Sequence, residues 1–193
     1  MLMFRQPTAE QIAAFLQQQN SLDFSYREVG ATASSLPAGY FVSHTRVQLG
    51  TGNSVFDAAA RAINEWRQFQ LGWVTALPAD TPIRKGNAIA VIAHALGIWC
   101  LNACRIVHVI EENNPQRKFG FAYGTLPDHA ATGEERFLVE MDAAENVWYD
   151  IFAFSKPRHP LAKVGLPLFR QSQRRFARQS CEVMRNFVRA IEK

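Results

Sequence analysis

The chain has 193 residues, 48% of them hydrophobic and 20% charged, with a net charge of +4 and three cysteines. That is ordinary globular composition, long enough to bury a core without staples, and the odd cysteine count excludes a disulfide scaffold. The charge is uneven: residues 1–155 hold 11 basic and 15 acidic side chains (−4), whereas residues 156–193 hold 10 and 2 (+8).

Residues 8–19 read as a short helix, with Thr8 and Gln11 in a capping-box pattern and Ile12, Phe15 and Leu16 on one apolar face. The start shows no continuous apolar core with a cleavage site, so no signal peptide is expected and a cytoplasmic location follows. Residues 20–39 read as loop, punctuated by Gly30, Pro37 and Gly39. In YFVSHTRVQLG, Phe41, Thr45, Val47 and Leu49 alternate with His44, Arg46 and Gln48, the pattern of a half-exposed strand. Ser54 is the expected cap of a helix from Ser54 to Phe69, along which Val55, Ala59, Ala62, Ile63 and Trp66 fall at helical spacing.

Six strand-like runs follow, near 72–77, 88–95, 98–111, 118–125, 134–142 and 146–155. Turn signals separate them: Pro82 to Gly86, Gly97, ENNPQ, PDHAATG and DAAEN. The longest apolar run, Ala88 to Leu101, is too short to span a bilayer and contains His94. Cys100 and Cys104 on one strand stand roughly 13 Å apart, too far to bridge or share a metal. KPRHPLAKVGLP reads as a fixed connector. From Leu166 to the end runs a long helix with Phe169, Phe176, Ser180, Val183, Met184, Phe187, Val188 and Ile191 on one face. Arg170, Arg174, Arg178, Arg185 and Arg189 form a basic stripe on another.

Consecutive strands with short turns imply an antiparallel sheet, and its apolar face needs a cover. The terminal helix is the only long amphipathic partner. The expected fold is therefore α+β, a curved antiparallel sheet of six to seven strands wrapped around the C-terminal helix. We expect one domain over 1–193, with 1–39 as a helix-and-loop extension and 40–193 as the core.

Four stretches carry a resemblance: GTGNSVFDAAARAINEWRQFQLGW, NACRIVHVIEE, FGFAYGTLPDHAATGEERF and VWYDIFAFSKPRHPLAKVGLPLFRQSQRRFARQS. In them the chain resembles the DUF1990 family, and in element order it resembles the helix-grip (SRPBCC-like) fold of the START-related and birch-pollen-allergen superfamily. The resemblance brings no catalytic residues. The superfamily implies a pocket for an apolar or amphipathic small molecule, in which a minority of members carry out cyclisation, dehydration or hydrolysis.

The hairpin around PDHAATG gathers most of the polar candidates. Phe119, Phe121, Tyr123 and Thr125 share one face; Glu135, Phe137, Val139 and Met141 share what reads as the inner face of the return strand. Glu135 beside Tyr123 and Thr125 could then be a general acid or base with a raised pKa. The competing reading is a polar hairpin end, with Glu134 and Glu135 solvated or paired with Arg136, Asp128 capping the turn and His129 exposed. Asn102 and Asp150 stand in apolar strands and face either a pocket or solvent. Trp66 is a core aromatic or part of a cavity wall. The pocket candidates are thus Tyr123, Thr125, Glu135, Phe137, Asn102, Asp150, Trp66 and Phe121.

Other motifs point to simpler roles. LGTGNSV has Val55 where a dinucleotide fingerprint needs a third glycine, so it reads as a turn and helix start. His44, His94, His108, His129 and His159 show no metal-site spacing, and no metal or cofactor is expected. The basic stripe lacks the aromatics that stack on bases, which makes nucleic acid an unlikely partner. The function expected is binding of a hydrophobic or amphipathic small molecule between sheet and terminal helix. The alternatives are an enzyme acting there, with Glu135 or Asp150 as base, and a peripheral binder of anionic lipid or nucleic acid through the arginines.

Overall fold

The computed structural model describes residues 1–114, 116–158 and 165–191. His159 and the middle of the expected connector lie outside the described residues. The strands are β1 Leu2–Met3, β2 Phe41–Thr51, β3 Val74–Leu77, β4 Ala88–Ala95, β5 Ile98–Glu112, β6 Arg117–Thr125, β7 Ala131–Met141 and β8 Asn146–Pro157. The helices are α1 Ala9–Asn20, α2 Asn53–Asn64 and α3 Leu166–Ile191. All pairings are antiparallel, in the order β2-β8-β7-β6-β5-β4-β3, with β1 against the first residues of β5. The six strands read from the alternation are all present, β4 with the expected ends, and the fold is the expected α+β helix grip. Register shifts between Gln48 and Gly50 on β2 and between Ile106 and His108 on β5 mark bulges, which bend strands locally.

Two faces of the sheet are buried for different reasons. On the inner face, Ile89, Cys104, Ile106, Phe121, Phe137 and Tyr149 pack against α2 and α3. The buried residues of α3 are Ser180, Cys181, Met184 and Val188, whereas Ile191, expected on that face, is exposed at the helix end. On the outer face, α1 lays Ile12 and Phe15 on Ala90, Ile92, Leu101 and Leu126. Thr8 caps that helix as the sequence predicts, with the reciprocal Gln11 contact formed.

The 20–39 segment is more than a connecting loop. Tyr26 and Ala31 cover Phe154 of β8, and Phe24 joins them. Gly124 makes this possible, because a Cβ there would stand 2.1 Å from the Tyr26 hydroxyl. Only a residue without a side chain lets the segment approach so closely.

Two helix boundaries differ from expectation. The cap of α2 is Gly52, in a φ 84°, ψ 172° conformation open to glycine, and Ser54 lies inside the helix. The helix ends at Asn64 instead of Phe69, because Trp66 turns left-handed (φ 54°) and a 3-10 turn, Arg67–Phe69, follows. That turn buries the Trp66 ring against Phe121 and lets its indole N–H donate to the Thr81 carbonyl at 2.8 Å. Tertiary burial outweighs the local cost of about 1–2 kcal/mol for a left-handed residue.

Candidate functional site

Strand alternation divides two neighbouring carboxylates. Glu134 of β7 faces outward and Glu135 faces inward. Directly across from Glu135 in the register is Tyr123 of β6. Its hydroxyl donates to Glu135 Oε2 at 2.7 Å. The pair stands at the wall of a cavity of about 190 Å³ between the inner sheet face and the N-terminal half of α3. Phe69, Trp73, Val91, Ala93, Phe169 and Phe176 supply its apolar wall. Glu135 is surrounded by protein, and the accessible surface it retains opens into this cavity. Burial pushes its carboxyl up to about 7, against a smaller lowering by the Tyr123 hydroxyl. The same burial, with the Glu135 charge beside it, holds the Tyr123 phenol well above its ordinary range.

The remaining polar lining falls into two groups. Asn102 and Thr125 hold the cavity's end together. The Asn102 amide donates to the carbonyls of Val91 (3.1 Å) and Cys100 (3.3 Å), and its oxygen accepts the Ala130 N–H at 3.0 Å. Thr125 Oγ1 accepts the Gly133 N–H at 3.0 Å and lies 2.6 Å from the Ser25 hydroxyl. Their hydrogen-bonding capacity is largely spent on the protein itself. Tyr123 and Glu135 keep free acceptor positions toward the cavity.

Four of the eight sequence candidates therefore line this space: Tyr123, Thr125, Glu135 and Asn102. Phe121, Phe137 and Trp66 do not. They are wholly buried in the packed inner core, in contact with one another and with Phe69. Asp150 requires the clearest correction. It lies on the outer face, 99% buried, and its carboxylate meets Arg136 at 3.0 Å, His44 at 2.5 Å and Arg46 at 3.7 Å. It cannot act as a base on anything inside the cavity. β8 is apolar on both faces, so alternation alone could not orient it.

The polar-hairpin reading is corrected as well. Glu134 is 2% exposed and accepts from Tyr26 Oη (2.7 Å), Gly30 N (2.7 Å), Thr32 N (3.0 Å) and the Thr32 hydroxyl. Asp128 bonds the side chain of Gln19 at 2.9 Å. His129 lines the cavity instead of facing solvent. Burial lowers its imidazole to about 4, so it is neutral, and Nδ1 accepts the Ala131 N–H at 2.9 Å.

Two further lining residues, Trp73 and Gln173, carried no signal in the sequence. Trp73 donates its indole N–H to Gln179 at 2.6 Å, and Gln173 donates to the Ser155 hydroxyl at 2.9 Å. Both contacts tie α3 to the sheet across the cavity and depend on a long-range approach that no local pattern encodes. The basic stripe is partly engaged: the Arg170 guanidinium lies 3.8 Å over the Phe41 ring and Arg185 Nε donates to the Gln48 carbonyl at 3.4 Å, while Arg174, Arg178 and Arg189 are exposed. Among the described residues no helix is long and apolar enough to cross a membrane.

Residues 25–183 match the family described as "Domain of unknown function (DUF1990)". The chain belongs to the DUF1990 family. A UPF0548 protein of Dictyostelium discoideum is similar to this DUF1990 chain at 30% identity over 203 residues, covering 95% of this chain and 94% of that one. Among solved structures, a hypothetical protein of Helicobacter pylori aligns with a TM-score of 0.53 at 9% identity, covering 86% of this chain and 96% of that one. Norcoclaurine synthase of Thalictrum flavum, a point mutant in complex with a transition-state analogue, aligns with a TM-score of 0.50 at 8% identity, covering 82% and 100%. At these identities the likeness is one of fold, and it places the DUF1990 chain among helix-grip proteins.

Proposed function

We propose that this protein binds a small, largely apolar molecule in the cavity between the sheet and α3. The observation that carries the reading is a buried Tyr123–Glu135 pair set in an apolar wall. A few placed polar groups in an otherwise apolar space are how ligand sites fix orientation. The cavity, at about 190 Å³, is smaller than the roughly 300–1,000 Å³ of sites for drug-sized molecules. It suits a compact ring or short chain, and a whole phospholipid does not fit.

Native mass spectrometry of the freshly purified protein tests this. A reproducible small-mass adduct, lost when Ala93→Leu or Ala177→Leu fills the wall, supports it. A clean apo mass, together with no calorimetric binding of a compact aromatic probe such as 2-phenylethanol, overturns it.

A second reading is proton transfer on the bound molecule. It is favoured by one observation: burial sets the Glu135 carboxyl at about 7, where both its acid and base forms are populated near neutrality. In this reading Glu135 moves the proton and Tyr123 orients the reacting group. A bound compound recovered chemically unchanged after prolonged incubation with wild-type protein would sink this reading and leave the first intact.

A further inference from the structure

The cavity's charge is one-sided. Among the described residues, no lysine or arginine lines the cavity. Glu134 touches the cavity, but its carboxylate is turned to the outer face and held there by Tyr26, Gly30 and Thr32. His129 is neutral, with Nδ1 accepting the Ala131 N–H. Among the described residues, Glu135 is thus the one side chain facing the space that can carry a charge near neutral pH, and that charge is negative.

The acceptors match the charge. Glu135 Oε2 receives the Tyr123 hydrogen, and Oε1 has no protein donor among the described residues. The phenol oxygen, its hydrogen already committed, faces the same space as an acceptor. Around them stand the rings of Phe69, Trp73, Tyr123, Phe169 and Phe176. Aromatic faces carry the negative end of the ring quadrupole and attract cations, most strongly where water is excluded.

We propose that the ligand is a small apolar amine, bound as its ammonium ion by Glu135 and the Tyr123 oxygen against the aromatic wall. The inference rests on reading the cavity as a ligand site. An ammonium group brings donors to acceptors that lack them and neutralises the Glu135 charge. A carboxylate or phosphate head would find no cation among the described residues and would stand against Glu135, which disfavours fatty acids and phosphorylated compounds. A neutral alcohol fits the shape but gains no charge pairing.

The pairing also sets a pH dependence. Among the described residues, the titratable groups facing Glu135 are neutral in the relevant range: Tyr123 from β6, Cys104 from β5 and Tyr149 from β8 are all held above their ordinary values by burial, and His129 is held below its own. The helix side offers the uncharged Ser172, Gln173 and Phe176. Glu135 alone therefore switches the site. It is protonated below about 7, and the ammonium then loses its counter-charge.

Isothermal titration calorimetry with three probes of one shape decides the matter: 2-phenylethylamine, 2-phenylethanol and phenylacetate, at about pH 8 and about pH 5.5. The amine is expected to bind wild-type protein about tenfold or more tighter than the alcohol at the higher pH, as for a hydrogen bond to a charged group. Phenylacetate is expected to bind weakest. The amine's advantage should vanish in Glu135→Gln, which keeps the side chain's shape and an acceptor for Tyr123, and it should vanish in wild-type protein at the lower pH. The second comparison needs no variant to fold. Alcohol binding as well as amine, or an advantage that survives both the substitution and the low pH, overturns the amine proposal while the cavity reading stands. No binding by any of the three overturns both.

Discussion

Glu134 and Glu135 are adjacent in the chain, identical in chemistry and both held in the sheet, yet they lie in opposite circumstances. Glu134 meets four donors on the outer face, all from Tyr26, Gly30 and Thr32 in a segment with almost no regular structure. Among the described residues Glu135 meets one, from Tyr123. A carboxylate with a full set of donors is a fastener for the segment that supplies them. A carboxylate with one donor beside an open space has capacity left for something else. What separates the two roles is the number of donors that the surrounding elements deliver and the open space left beside Glu135.

The comparison can be broken most severely on the outer face. Glu134→Ala leaves buried donors of Tyr26, Gly30 and Thr32 unpaired, and we expect a loss of about 3–5 kcal/mol in urea unfolding. A loss below about 1 kcal/mol would mean that the segment is not fastened by this residue.

On the inner face the matching substitution should do the reverse. Burial raises the folded Glu135 carboxyl from its ordinary value of 4.5 to about 7. Its pKa is raised on folding, so its favourable contribution is complete below 4.5 and is lost as pH rises through about 7. Glu135→Gln removes that loss. The variant's stability relative to wild type should therefore climb between about pH 4.5 and 7, by an amount on the order of 3 kcal/mol, and then level off. Measuring the difference between the two proteins at each pH cancels the opposite slope of His129, whose lowered pKa costs stability as pH falls from 6.5 toward about 4. A pH-independent difference would show that Glu135 is not desolvated.

Two smaller effects sharpen the contrast. Gly124→Ala places a Cβ against the Tyr26 hydroxyl, and thermal unfolding should show a destabilisation of about 1–3 kcal/mol from overpacking. If the alanine is neutral, the 20–39 segment has room to withdraw. Tyr123→Phe removes the single donor to Glu135 and should raise that carboxyl's pKa further, as read by NMR titration, with a stability change of about 1 kcal/mol. An unchanged or lowered pKa would show that the phenol does not support the carboxylate form.

The strands were legible because each carries its own alternation and turn residues, and the inward placement of Glu135 followed from its parity with Phe137 and Val139. Asp150 defeated the same logic. Tyr149 and Ile151 face the inner core while Phe152 and Phe154 face outward, so β8 has no polar side to read. The outer cover escaped notice because Tyr26 and Thr32 belong to a stretch without period, whose order comes from partners about a hundred positions away. His129, Trp73 and Gln173 were missed for a related reason. Their place in the cavity depends on where α3 crosses the sheet, and the amphipathic pattern states only which side of α3 turns inward.

β2 lies at one edge of the sheet, and its sole strand partner is β8, from Phe41 opposite Ser155 to Thr51 opposite Asn146. β2 therefore leaves the ribosome about a hundred residues before its partner and must wait for it. Until β8 emerges, the backbone of β2 has no ladder to join, while β4 to β7 can zip as consecutive hairpins. Closing so long a loop comes late and slowly, and the polar alternation of His44, Arg46 and Gln48 along β2 keeps the waiting strand from pairing with other chains.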